Sequence, residues 1–178
     1  MNITLLIGSL KATSINKKLS GTIKSISPKD IVFSTPSLDL PLFNEDLENN
    51  PPTSVINLKD SLKSADGIII ISPEYNRSFS GVLKNAIDWA SRPYGNNSIK
   101  NKPVAITGIT HGQIGTALAQ SAIKAPLIFL EAKIMTQPEL YLTYSKVFDE
   151  NGNLLESSKP YLERFIKSFT EFVKVQNS

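Results

Sequence analysis

Apolar positions along this chain alternate between two spacings. Short unbroken apolar runs occur at Asn2 to Ile7, Ile31 to Phe33, Gly67 to Ile71, Val104 to Thr107 and Lys133 to Met135. Runs of that length fit strands covered on both faces. Between them, apolar residues recur three or four positions apart: Ile15, Leu19, Ile23 and Ile26, then Val55, Leu58 and Leu62, then Leu83, Ala86, Ile87 and Ala90. Each set makes one face of a helix. Gly115 to Ala125 predicts a further helix, and Tyr161 to Val175 an amphipathic terminal helix that turns Leu162, Phe165, Ile166, Phe169, Phe172 and Val173 inward. Strands alternating with helices call for a parallel sheet with right-handed crossovers. The expected fold is therefore α/β, a doubly wound five-stranded parallel sheet in strand order 2-1-3-4-5.

That order is flavodoxin-like, and it brings the loops after strands 1, 3 and 4 to one sheet edge, where open α/β folds bind ligands. The chain has 178 residues, 40% of them hydrophobic, enough for one core and too few for two full domains. Residues 1–178 are thus expected to form a single domain. Pro36 to Pro52 is Pro-rich, no internal repeat or low-complexity tract occurs, and Gln176 to Ser178 look loose.

Composition narrows the chemistry. There is no Cys, which excludes disulfides, iron–sulfur clusters and thiolate catalysis, and the single His, His111, argues against a zinc site. The formal charge of +3 comes from Lys residues scattered along the chain, so nucleic-acid binding is not expected. A mild positive balance suits anionic small molecules, and a solvated surface accounts for it equally. No leader-like start and no apolar run near the roughly 20 residues of a membrane helix is visible, so a cytoplasmic protein without membrane contact is expected. Any reaction then needs a cofactor, carboxylates or hydroxyls.

The three converging loops are polar. After strand 1 come Gly8, Ser9, Leu10, Lys11, Ala12, Thr13, Ser14, Ile15 and Asn16, rich in hydroxyls and amides where a helix begins. Free N–H groups at a helix start attract anions, and Ser9, Lys11, Ser14 and Asn16 add donors. Neither G-x-G-x-x-G nor G-x-x-x-x-G-K-[ST] is present, so a terminal monophosphate fits better than a pyrophosphate. The competing reading is an ordinary N-cap at Ser14 followed by a surface turn.

After strand 3, Pro73, Glu74, Tyr75, Asn76, Arg77 and Ser78 offer main-chain groups, a stacking face and an amide to a planar heteroaromatic ligand. Glu74 as a solvated charge and Tyr75 as a packing residue are the alternatives. Downstream, Trp89 and Tyr94 are candidates for an exposed subunit contact, with core packing the competitor for Trp89. The fourth loop, Thr107 to Gly115, holds Gly108, Gly112 and Gly115, which would let backbone N–H groups approach a ligand. His111 in that loop has no sequence partner for acid–base work, which favours a plain polar role.

Three segments together resemble the NADPH-dependent FMN reductase family, flavodoxin-fold enzymes that include quinone, chromate and azo-dye reductases. GSLKATSINKKL resembles the family's G-S-x-R-x-x-S-x-N phosphate loop, and LPLFNEDLE the segment after strand 2. SPEYNRSFSGVLKNAIDWASRP resembles the P-E-Y-N-x-S-x-P-G-x-L-K-N-A-I-D-W signature almost throughout. The resemblance implies that Ser9, Lys11, Ser14, Ile15 and Asn16 hold the FMN phosphate. It places Pro73, Glu74, Tyr75, Asn76 and Ser78 along the isoalloxazine ring, and Thr110, His111 and Gly112 on its pyrimidine side. Departures are Lys11 for the usual Arg, which replaces a bidentate fork with a point charge, and Ser80 for a Pro, expected to loosen the start of the next helix. Gly115-Thr116 and Leu118-Ala119-Gln120 replace a Gly-Gly pair and Arg-Ala-Gln, so the resemblance implies no oligomer contact through that Arg.

The implied activity is hydride transfer from NADPH or NADH to FMN, then from FMN to a quinone-like or other small-molecule acceptor, in a ping-pong sequence. Flavin N5 carries the hydride, so no catalytic side chain is required, and a homodimer or homotetramer is implied. The alternative on the same fold is a non-enzymatic flavodoxin-type electron carrier. Such carriers are typically acidic, against the +3 here.

Overall fold

A computed structural model describes residues 1–178. Its sheet is built from β1 (Asn2–Ile7), β2 (Val32–Ser34), β3 (Gly67–Ile71), β6 (Pro103–Thr110), β7 (Lys133–Ile134) and β8 (Leu140–Thr143), all paired in parallel. A separate antiparallel hairpin comprises β4 (Glu74–Tyr75) and β5 (Ser78–Phe79). The order along the sheet is β2-β1-β3-β6, and the fifth position is shared. There β7 pairs with Pro103 and Val104, and β8 with Thr107 to Thr110. This is the expected 2-1-3-4-5 arrangement with its last strand in two pieces.

The run Gly-Ile-Ile-Ile-Ile makes β3 central because alternate side chains serve opposite faces. Ile69 and Ile71 join the core under α1 (Ile15–Ile26) and α6 (Lys159–Gln176). Ile68 and Ile70 join the core under α2 (Thr53–Ser64), α3 (Gly81–Ala90) and α4 (Ala117–Phe129). Gly67 admits α6 closely: a Cβ there would lie 2.6 Å from Val173 Cγ2 and 2.9 Å from Phe169 Cζ. A single-turn α5 (Tyr144–Val147) follows β8.

The structure decides between the two readings of Trp89 and reverses the expectation for Ser80. Trp89 is buried, not exposed: its indole Nε1 donates to Pro41 O at 2.8 Å and its ring meets Phe43 edge-on at 5.0 Å. One turn earlier, Asn85 accepts from Phe43 N at 2.8 Å and donates to Pro41 O at 3.0 Å. Residues four apart share a helix face, so Asn85 and Trp89 together hold the Pro-rich segment after β2. Tyr94 is exposed. Ser80 tightens the start of α3 instead of loosening it, because as N-cap its hydroxyl accepts from Leu83 N at 3.2 Å.

Candidate functional site

The loops after β1, β3 and β6 meet in a cleft of about 190 Å³ lined by Ser9, Lys11, Thr13, Ser14, Ile15, Asn16, Pro73, Glu74, Tyr75, Ile109, Thr110 and His111. Every residue expected at the site lies on this wall except Asn76, Ser78 and Gly112. Asn76 is at the exposed tip of the β4–β5 hairpin, Ser78 is on its second strand, and Gly112 is exposed in the loop beyond β6. Thr13 and Ile109 are additions. Ile109 enters because β6 runs on to Thr110, three residues past the expected Thr107.

On the α1 side the cleft presents donors. Ser14 is the N-cap, its hydroxyl accepting from Asn16 N at 3.2 Å and Lys17 N at 3.3 Å. The backbone N–H groups of Leu10, Lys11, Ala12, Thr13 and Ile15 have no acceptor within the chain. Ser9 is 7% exposed, and its hydroxyl has no hydrogen-bond partner in the chain although it faces the cleft. Lys11 and Lys17 make no ion pair with any carboxylate. Unpaired N–H groups, a free hydroxyl and uncompensated ammonium charge at one helix start form a site for an anion.

Asn16 has a different orientation from the expected one. Its side chain is turned into the protein, where Nδ2 donates to Ile109 O and Oδ1 accepts from Ile109 N, each at 3.1 Å. It thereby fastens the first turn of α1 to the end of β6.

The opposite wall is the β4–β5 hairpin. Asn76 and Arg77 both have positive φ, 51° and 65°, as a two-residue turn between twisted strands requires. The Tyr75 ring is 54% exposed at the cleft rim, available for stacking. Glu74 reaches across to α4, its Oε2 accepting from Leu118 N at 3.0 Å and Ala119 N at 3.1 Å.

The third wall carries Thr110 and His111. His111 makes no hydrogen bond or ion pair, and its ring leans on Tyr144 at 5.1 Å. Tyr144 Oη in turn accepts from Lys18 Nζ at 3.4 Å. Of the three glycines, Gly108 is a strand residue, where a Cβ would lie 2.0 Å from Ser72 O, and Gly115 (φ 69°) sits against Tyr141 and Leu142. Both serve close backbone packing. Only Gly112 has open surroundings.

The pattern of these loops extends over most of the chain. The family model described as NADPH-dependent FMN reductase matches residues 1–146. The chain belongs to that family. A 2-hydroxy-1,4-benzoquinone reductase of Burkholderia sp is 39% identical over 177 residues, covering 98% of this chain and 97% of the relative. A quinone reductase of Pseudomonas putida is 34% identical over 180 residues, covering 99% and 97%. Among solved structures, the flavoenzyme NAD(P)H:(acceptor) oxidoreductase FerB from Paracoccus denitrificans superposes with a TM-score of 0.92 at 36% identity, covering 98% of both chains. The family's signature now has a physical reading in this chain: Asn85 and Trp89 of K-N-A-I-D-W grip the Leu-Pro-Leu-Phe segment, and Ser80 caps the helix that carries them.

Proposed function

We propose that this chain is an FMN-dependent oxidoreductase that takes hydride from NAD(P)H and delivers it to a quinone-like acceptor in ping-pong order. The observation that carries the reading is the donor set at the start of α1, unpaired N–H groups with Lys11 beside them, whose chemistry suits one terminal phosphate. Bound FMN supplies a ring that accepts a hydride and passes the electrons on.

In this reading the free N–H groups from Leu10 to Thr13 and at Ile15, the Ser9 hydroxyl and Lys11 bind the phosphate. Ser14 shapes that loop as its cap, and Asn16 holds it against β6. Pro73, Glu74 and Tyr75 wall the ring on one side, with Asn76 and Ser78 approaching from the hairpin. Thr110, His111 and Gly112 bound the other side. With FMN in the cleft, nucleotide and acceptor share one exposed ring face and occupy it in turn, which is the basis of the ping-pong order. The names of the Burkholderia and Pseudomonas relatives favour a quinone as acceptor.

A homo-oligomer, dimer or tetramer, accompanies this reading. It is supported by the exposed Ile114 and Leu118 in the segment from the third wall into α4. Light scattering of the purified protein gives the subunit number.

The test is whether the purified protein is yellow and releases FMN, and whether NADPH and NADH with benzoquinone give parallel double-reciprocal lines. Turnover with a quinone separates a reductase from an electron carrier. Colourless protein that cannot be reconstituted with FMN overturns the reading.

A further inference from the structure

Glu74 joins two segments 44 residues apart in the chain: it belongs to the hairpin after β3, and its carboxylate caps α4. The residue placed to cap that helix, Thr116, makes no capping bond, and its Oγ1 accepts from Gln120 Nε2 at 2.9 Å. The second and third N–H groups of α4, at Leu118 and Ala119, are instead satisfied by Glu74 Oε2. No Lys or Arg makes an ion pair with Glu74, so its only direct partner is the helix start, equivalent to about half an elementary charge, while Lys11 lines the same cleft without touching it. The same side chain lines the cleft between Pro73 and Tyr75. A net negative charge therefore stands on the wall of the proposed cofactor site.

We propose that Glu74 is a positioning residue that ties the β4–β5 hairpin to the start of α4 and, through its charge, lowers the cleft's affinity for reduced relative to oxidised FMN. The second half rests on the FMN reading above. Reduction adds electron density to the ring, and a carboxylate in a partly desolvated wall opposes that gain. Gln at this position keeps an acceptor oxygen for the helix and removes the charge. Ala removes both.

Two measurements on the full-length protein separate these parts. Midpoint potentials of FMN bound to the wild type and to Glu74→Gln read the charge. The expected result is a rise corresponding to a roughly tenfold gain in relative affinity for reduced FMN, about 30 mV for a two-electron couple. Amide hydrogen exchange of the cofactor-free wild type, Glu74→Gln and Glu74→Ala reads the fastening. Protection at Leu118 and Ala119 is expected to survive in the Gln variant and fall at least tenfold in the Ala variant.

A potential in Glu74→Gln equal to or below the wild type overturns the electrostatic role. Unchanged protection in Glu74→Ala overturns the positioning role. A wild type that takes up no FMN overturns the functional reading and the electrostatic role with it, while the exchange data still decide the fastening.

Discussion

Asn16 and Ile109 exchange two hydrogen bonds of equal length, 3.1 Å, across the floor of the cleft. Both residues are buried, so removing the amide strands a backbone N–H and a backbone C=O away from water. Asn16→Ala is expected to destabilise the fold by about 2–4 kcal/mol. The check is urea unfolding, with a lower midpoint and an unchanged slope. An Ala variant within about 0.5 kcal/mol of the wild type would show that the pair contributes little beyond ordinary surface substitutions.

Asn85 and Trp89 make the analogous fastening for the segment after β2. Trp89→Phe loses the 2.8 Å bond to Pro41 O, a loss of about 1 kcal/mol, and leaves part of the buried indole volume unfilled, which adds to the cost. Asn85→Ala loses contacts to both Phe43 and Pro41 and is expected to cost about 2 kcal/mol. Limited proteolysis reports the local consequence: cleavage between residues 36 and 52 should accelerate in both variants, more in Asn85→Ala. Equal cleavage rates in all three proteins would mean that other contacts hold the segment.

Arg77 occupies the left-handed region at φ 65° with a full side chain. Glycine removes a backbone penalty of roughly 1–2 kcal/mol and adds an unfolded-state entropy cost of roughly 0.5–1 kcal/mol. The net expectation for Arg77→Gly is a gain of about 0.5 kcal/mol, or a Tm rise of about 1–2 °C for a chain of this size. Arg77→Val should lower the Tm, since a β-branched residue tolerates this region poorly. A calorimetric scan in which Gly and Val act alike would rule out backbone strain as the cause.

What could be read from the chain divides by range of interaction. β1 and β3 carry their signal locally, as apolar runs, and α1 and α6 as apolar positions three and four apart. Ser14 as N-cap is equally local. Leu140–Thr143 was not visible as a strand: it is four residues long, and its partner Thr107–Thr110 begins where the apolar run of β6 gives way to Thr and Gly. The β4–β5 hairpin was hidden because its turn is Asn-Arg, without the glycine that usually marks φ > 0 at both positions. The candidate residues of the first loop were legible as donors, whereas the inward turn of Asn16 depends on Ile109, 93 residues away. Glu74 was legible as a charge beside the site, and its capping role depends on where α4 begins. Trp89 fits both a surface and a core position until the Pro-rich segment is placed over it.

Tyr141 is expected to make stability fall at alkaline pH. Partial desolvation of the hydroxyl in a residue that is otherwise 42% exposed, and then the Glu139 carboxylate beside it, push the phenol up to about 12 from its ordinary 10. The neutral form is favoured in the folded state, so the unfolded chain loses this proton first. The contribution to stability is complete below pH 10 and is lost as pH rises through about 12. Two measurements follow. Absorbance titration of tyrosinate in the native protein should show a step near about 12 that Tyr141→Phe lacks. Urea unfolding between pH 9.5 and about 12 should show wild-type stability falling more steeply than that of Tyr141→Phe, because the variant has no phenol to ionise at this position. Parallel pH dependence in the two proteins would mean that Tyr141 ionises alike in the folded and unfolded states, and that the alkaline loss comes from other groups.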